Sequence, residues 1–208
     1  MVRVQAPAMS LEASGSLGGA LVFSRWKGRP YVRELVKPAN PKSGGQVGIR
    51  AMLRFLSQDW VNLSTASKQT WDNIAKAKVI SFFNAYIGLN VYNWRDFLAP
   101  GQEEPILRTG TDPTLGTLTA VAGVRSITVT QPITTAADGW GIIFFRSPTG
   151  TFDGTFDKCK RIGKINATAN VVFVDSPLLP GTYYYSVRPV TKLGKLGTES
   201  TEVNATVV

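Results

Sequence analysis

Between Leu115 and Val207 one pattern returns seven times: a short β-branched or aromatic run closed by a Gly, Pro, Asn or Asp turn signal. The runs are Leu115–Val121, Ser126–Gln131, Gly141–Arg146, Lys160–Ile165, Asn170–Asp175, Thr182–Pro189 and Glu199–Val207. Evenly spaced short strands with no intervening helical period fit a two-sheet β-sandwich better than any parallel α/β arrangement. The stretch before them, GQEEPILRTGTDPT at 101–114, reads as a linker. The C-terminal domain is therefore expected over 115–208, and the chain as a whole is expected to be α+β and multidomain.

Within this pattern, Pro180-Gly-Thr-Tyr-Tyr-Tyr-Ser-Val-Arg-Pro-Val190 joins a Pro-Gly turn to a Tyr-x-Tyr-x-Val strand. Lys192-Leu-Gly-Lys-Leu-Gly-Thr-Glu-Ser200 follows as a Gly-rich hairpin, and Ile143-Phe-Phe-Arg146 supplies a third strand. These residues resemble the immunoglobulin-like fibronectin type III domain, although its second-strand tryptophan is missing and Trp140 opens the third strand instead. The resemblance implies a scaffold or spacer and, by itself, no activity.

Residues 1–44 are patterned differently. Ala20-Leu-Val-Phe23 and Pro30-Tyr-Val-Arg-Glu-Leu-Val36 flank a turn at Ser24–Arg29, which predicts an extended basic arm carrying a short β-ribbon. Lys37-Pro-Ala-Asn-Pro-Lys42 reads as an extended connector. A ribbon this short is marginal alone in water. Arg25, Lys27, Arg29 and Arg33 interleave with Trp26 and Tyr31, which fits a protein interface anchor, a nucleic-acid ribbon or intramolecular packing. Gly15-Ser-Leu-Gly18 lacks the Lys-Ser/Thr of a phosphate loop.

Residues 45–100 carry the helical period. Gln46 to about Val61 predicts one helix, and Ser64 or Thr65 caps a second that carries Trp71, Ile74 and Ala75 to Lys78. Ile80 to Leu98 predicts a third. A core of about fifty residues is small for independent stability. Trp60, Trp71 and Trp94 are accordingly expected, with the arm residues, at a partner interface.

Charge and absences bear on function. Of the net charge of +9, most sits in residues 1–100, where thirteen Lys/Arg face five Asp/Glu. That asymmetry points to an acidic protein surface or nucleic acid as partner. There is no histidine, and Cys159 is the one cysteine, which removes His-based acid–base and nucleophile systems and internal disulfides. Cys159, between Lys158 and Lys160, reads as a surface or edge-strand thiol. Asp59, Asp72, Asp96, Glu103 and Glu104 show no catalytic spacing. No catalytic residue, cofactor-binding residue or metal ligand is assigned, no cofactor is expected, and no enzyme activity is expected. The N-terminus lacks the apolar run of a secretory signal, and no membrane partner is expected.

One further resemblance covers residues 14 to about 95. Ser14-Gly-Ser-Leu-Gly-Gly19, Phe23-Ser-Arg-Trp-Lys-Gly28, Tyr31-Val-Arg33, Pro38-Ala-Asn-Pro41, Gln46 with Arg50, Trp60-Val-Asn-Leu-Ser64 and Trp71 follow in order, with Asn84-Ala-Tyr86 and Leu89-Asn90 behind them. The series is similar to a group of uncharacterised structural proteins of tailed phages and prophages. It implies a non-enzymatic virion protein, made in the bacterial cytoplasm, with major capsid or other virion proteins and further copies of itself as partners. On that expectation it is a capsid decoration or cement protein that staples neighbouring subunits. The alternatives are a neck, collar or tail-surface protein, and a nucleic-acid-binding protein of the head interior.

Overall fold

The computed structural model of the chain describes residues 2–3 (backbone), 14–36, 39–150, 155–167 and 169–208. The expected connector's first residues, Lys37 and Pro38, lie outside the described residues, as does the stretch 4–13. Two compact units divide the chain, Met1–Pro41 and Lys42–Val208. The class is α+β, with antiparallel sheets throughout.

Among its described residues the first unit is one four-stranded sheet. Its strands are β1 (Val2–Arg3), β2 (Gly15–Leu17), β3 (Leu21–Trp26) and β4 (Arg29–Glu34), in the order β1-β4-β3-β2. Lys27 and Gly28 both take positive φ, 48° and 76°, between β3 and β4. That is the two-residue hairpin turn whose twist matches its strands, so the expected turn contracts from six residues to two, Lys27 and Gly28. The expected two-stranded ribbon gains a strand on each edge.

The second unit begins with helices. α1 (Gly44–Trp60) buries Gly48, Met52, Phe55, Leu56 and Asp59, a stripe at helical spacing. Ser64 caps α2 (Thr65–Gln69) by accepting from the Ser67 amide, and Ser81 caps α4 (Phe82–Arg95) by accepting from Asn84. The expected second helix is two: α2 stops at Thr70, and α3 (Asp72–Lys78) starts with Trp71 at its N-cap. The interruption has a cause in the fold. Thr70 Oγ1 donates to the Ser67 carbonyl and accepts from the Glu104 amide, while Trp71 Nε1 donates to the Gln102 carbonyl.

Among the described residues nine strands follow: β5 (Thr114–Leu115), β6 (Thr119–Gly123), β7 (Ser126–Gln131), β8 (Ile133–Thr135), β9 (Gly139–Ser147), β10 (Cys159–Lys164), β11 (Val171–Asp175), β12 (Gly181–Thr191) and β13 (Val203–Val207). They form a four-stranded sheet β10-β9-β12-β13, a three-stranded sheet β11-β7-β6 and the pair β5-β8. Ile127, Val129, Ile142, Phe144, Phe173 and Val187 belong to a core shared by the two larger sheets. The helices supply a second core with Trp140, Ile143 and Phe145 of β9. β9 is thus apolar on both faces, which is why GWGIIFF reads as an unbroken hydrophobic run.

The stretch 101–114, linker-like in composition, is tied down on both sides. Asn90 Nδ2 donates to the Gly101 carbonyl at 3.0 Å, and the Gly101 amide returns a bond to Asn90 Oδ1 at 2.8 Å. Further along, the Gln102 and Arg108 amides donate to the Lys192 and Leu193 carbonyls.

Candidate functional site

The sequence-based interface set separates in the structure. Trp71 and Trp94 are fully buried, so neither meets a partner. Trp71 packs on Tyr86, and Trp94 on Phe97 with its Nε1 donating to the Gly48 carbonyl at 3.2 Å. The aromatic excess that pointed to an interface is the core of the helical layer. Trp60 is half-buried against Phe83 and Tyr86, under Lys68 Nζ.

The arm residues behave differently. Among the described residues of the first unit none is buried, and Trp26 is 61 % exposed. Register sorts the side chains, because cross-strand partners share a face and neighbours along a strand alternate. Val22 pairs with Arg33, Ser24 with Tyr31 and Trp26 with Arg29, so one face is basic and aromatic. Leu17 pairs with Leu21, Phe23 with Val32 and Arg25 with Pro30, so the other is apolar. Arg25 therefore parts from the cations it interleaves with in sequence. Lys27, in the turn, lies with Nζ 4.9 Å from the Trp26 ring centroid. The basic aromatic face combines what fills interface centres: Trp, Tyr and Arg at low ordering cost.

A second polar feature, unsuspected from sequence, lies in the Lys42–Val208 unit. Asp59 is buried on α1, and its two oxygens accept from Lys164 Nζ at 2.8 Å and Gln102 Nε2 at 3.1 Å. These residues line a cleft of about 400 Å³ with Asn62, Asn166 and Lys192. Beside it Tyr86 Oη and Trp140 Nε1 are buried without a hydrogen-bond partner. Burial first, then the Asp59 charge, pushes the Tyr86 phenol far above its usual range, so it stays protonated. With both its oxygens engaged, Asp59 joins α1 to β10. Its only sequence signal is a charge on the apolar stripe of a helix.

Cys159 lies on an edge strand, as expected, but is fully buried rather than at the surface. Burial pushes its thiol up to about 12, outweighing the lowering by Lys160. Among the described residues no group of three or more His, Cys, Asp or Glu gathers as a metal site. No helix among them is long and apolar enough to cross a membrane.

No family model matches the chain, and neither does any curated protein. Two solved structures to which it is similar are carbohydrate-active. One is a family 76 glycoside hydrolase from a bovine Bacteroides thetaiotaomicron strain, at 13% identity and a TM-score of 0.34. The other is a beta-1,2-glucanase from Parabacteroides distasonis, at 19% identity and a TM-score of 0.31. Each match covers 47% of this chain, and 20% and 14% of the respective enzymes. These neighbours run against the expectations of a non-enzymatic virion structural protein and of no enzyme activity. Both expectations are corrected on that finding and withdrawn, with their neck, tail and head-interior alternatives. At these scores the likeness carries no argument for an activity of this chain either.

Proposed function

We propose that this chain is a protein-docking module whose arm sheet meets an acidic surface of a partner through its basic aromatic face. Trp26, Lys27, Arg29, Tyr31 and Arg33 make that contact. The observation that carries the reading is a four-stranded sheet without one buried residue among those described, whose two faces differ in chemistry. A single-layered sheet has no stable interior of its own and is completed by whatever covers it. Among the described side chains of this face three are cations, few for holding nucleic acid, whose binding strength grows with the number of phosphates neutralised. Beside Trp26 and Tyr31 they suit a desolvated protein contact.

The support for this element is, on the same proposal, an immunoglobulin-like, fibronectin type III-like sandwich. The reading is supported by the three-stranded β6-β7-β11 and four-stranded β10-β9-β12-β13 antiparallel sheets, which share one apolar core. Tyr183, near the start of β12, donates its hydroxyl to the Leu179 carbonyl four residues upstream at 3.1 Å, as the corner tyrosine of such domains does.

The test is charge reversal. The triple variant Lys27→Glu, Arg29→Glu, Arg33→Glu is compared with Arg125→Glu, Lys192→Glu, which reverses exposed cations outside the arm. Capture from the native source, after nuclease treatment, is expected to lose an acidic protein only with the triple variant. Equal capture by both variants, or capture abolished by nuclease alone, overturns the reading.

A further inference from the structure

A groove between α1 and β10 gathers positive charge that no carboxylate lining it offsets. Its volume is about 310 Å³, and cations stand on both walls: Arg54 on α1 with Lys42 just ahead of that helix, and Lys160 with Arg161 on β10. Val47 and Ala51, one turn apart on α1 and half-buried, make its floor apolar together with buried Ile162. Among the described residues no carboxylate lines the groove, and none of these four cations makes an ion pair. Arg50 also lines it but is already engaged within the chain, so nothing is asked of it. Two carboxylates have fields that reach Lys160, and both are occupied. Asp175 accepts from Arg146 at 2.8 Å and from the Tyr185 hydroxyl at 3.0 Å, and Asp157 accepts from Thr155 Oγ1. Burial, and then the Arg146 charge, hold the Lys160 amine below its usual range. An anion in the groove relieves that repulsion.

We propose that this groove binds an acidic peptide segment of a partner protein, with carboxylates on its two basic walls and an apolar side chain on the floor between them. The charge selects the sign of the occupant, because four cations without a counter-charge attract an acidic segment and repel a basic one. The floor selects its kind. A phosphate chain or a small inorganic anion has no apolar part to set against Val47, Ala51 and Ile162, whereas a peptide offers both kinds of side chain from one backbone. The volume lies at the lower end of ligand clefts, room for one or two side chains rather than a folded surface. Arg54 and Arg161 matter most, since a guanidinium holds a carboxylate by two parallel hydrogen bonds. The groove lies wholly in the Lys42–Val208 unit and is independent of docking by the arm.

Fluorescence anisotropy of the labelled peptide Glu-Glu-Leu-Glu-Glu, titrated with the full chain, tests it. The wild-type chain is expected to bind it saturably, and at least tenfold more tightly than Glu-Glu-Ser-Glu-Glu, because the leucine is buried on the floor. The double variant Arg54→Glu, Arg161→Glu is expected to weaken the leucine peptide at least tenfold. Both side chains are exposed, and an unchanged circular dichroism spectrum shows that the variant folds. The arm variant Lys27→Glu, Arg29→Glu, Arg33→Glu is expected to bind as the wild type does, which separates this groove from the arm. Absence of saturable binding overturns the proposal, as does equal affinity for the serine peptide, which is charge attraction alone. So does a loss confined to the arm variant, or an oligothymidylate that binds more tightly than the leucine peptide.

Discussion

Gly48→Ala is a sharp perturbation of the helix-on-sheet unit, and Gly88→Ala is its internal control. Both glycines are helical, on α1 and α4, where alanine is intrinsically favoured by about 1 kcal/mol. At Gly88 a β-carbon meets no atom within 4 Å. There the substitution should stabilise by about that amount. At Gly48 it runs into the Phe156 main-chain carbonyl, and Gly44, one turn earlier, stands in the same way against Asp157. These two positions let the 3₁₀ turn at Phe156–Lys158 lie directly on the helix backbone. Because the obstruction is main chain, no rotamer relieves it, and displacement costs about 1–3 kcal/mol by analogy with overpacked cores. The bond from Trp94 Nε1 to the Gly48 carbonyl is disturbed as well, worth about 1 kcal/mol. Setting the propensity gain against these costs, Gly48→Ala should destabilise by about 1–3 kcal/mol, while Gly88→Ala stabilises by about 1 kcal/mol. In urea unfolding followed by tryptophan fluorescence the two midpoints should move in opposite directions. A Gly48→Ala midpoint that rises as far as that of Gly88→Ala refutes the close-approach reasoning.

Three further outcomes follow from the same structure. Lys164→Met should cost more than Asp59→Asn, about 3 against about 1–2 kcal/mol in chemical denaturation, because it strands a buried carboxylate whereas half-exposed Lys164 returns to water. Tyr183→Phe should lower stability by about 1 kcal/mol through the lost bond to the Leu179 carbonyl, with the fold unchanged by circular dichroism. Cys159 has its folded pKa raised to about 12, against about 8.5 when unfolded, so its contribution is fully present below the latter. The Cys159 contribution should therefore fall as pH rises from about 8.5 towards 12, by at most about 1.4 kcal/mol per pH unit, with buried Tyr86 adding to the fall once unfolded tyrosine ionises near pH 10. Between pH 8.5 and 9.5, where tyrosine is mostly protonated when unfolded, most of that slope should be lost in Cys159→Ala.

The strands were legible because turn chemistry and β-branched runs are local, and β9, β11 and β12 fall within two residues of where the pattern puts them. Helix starts at Ser64 and Ser81 are local too, although the sequence reading assigns a cap only to the first. What sequence could not supply was depth. Trp71 and Trp94 carry the composition of an interface, yet helices stacked on β9 bury them, and no local signal separates a core tryptophan from an anchoring one. Asp59, Lys164 and Gln102 meet across separations of 105 and 43 residues, which periodicity does not see. The arm was legible as a hairpin. Its two faces emerged only with the register, which separates Arg25 from Arg29 and Arg33 although all three read as one basic run.

Site-specific photo-crosslinking tests the central claim most directly. A benzophenone side chain in place of Trp26, and in a parallel sample in place of exposed Val172 on β11, is irradiated in the native source. The docking account predicts one dominant acidic protein adduct from position 26, insensitive to nuclease and absent from position 172. Adducts to nucleic acid alone, or the same proteins from both positions, would contradict it.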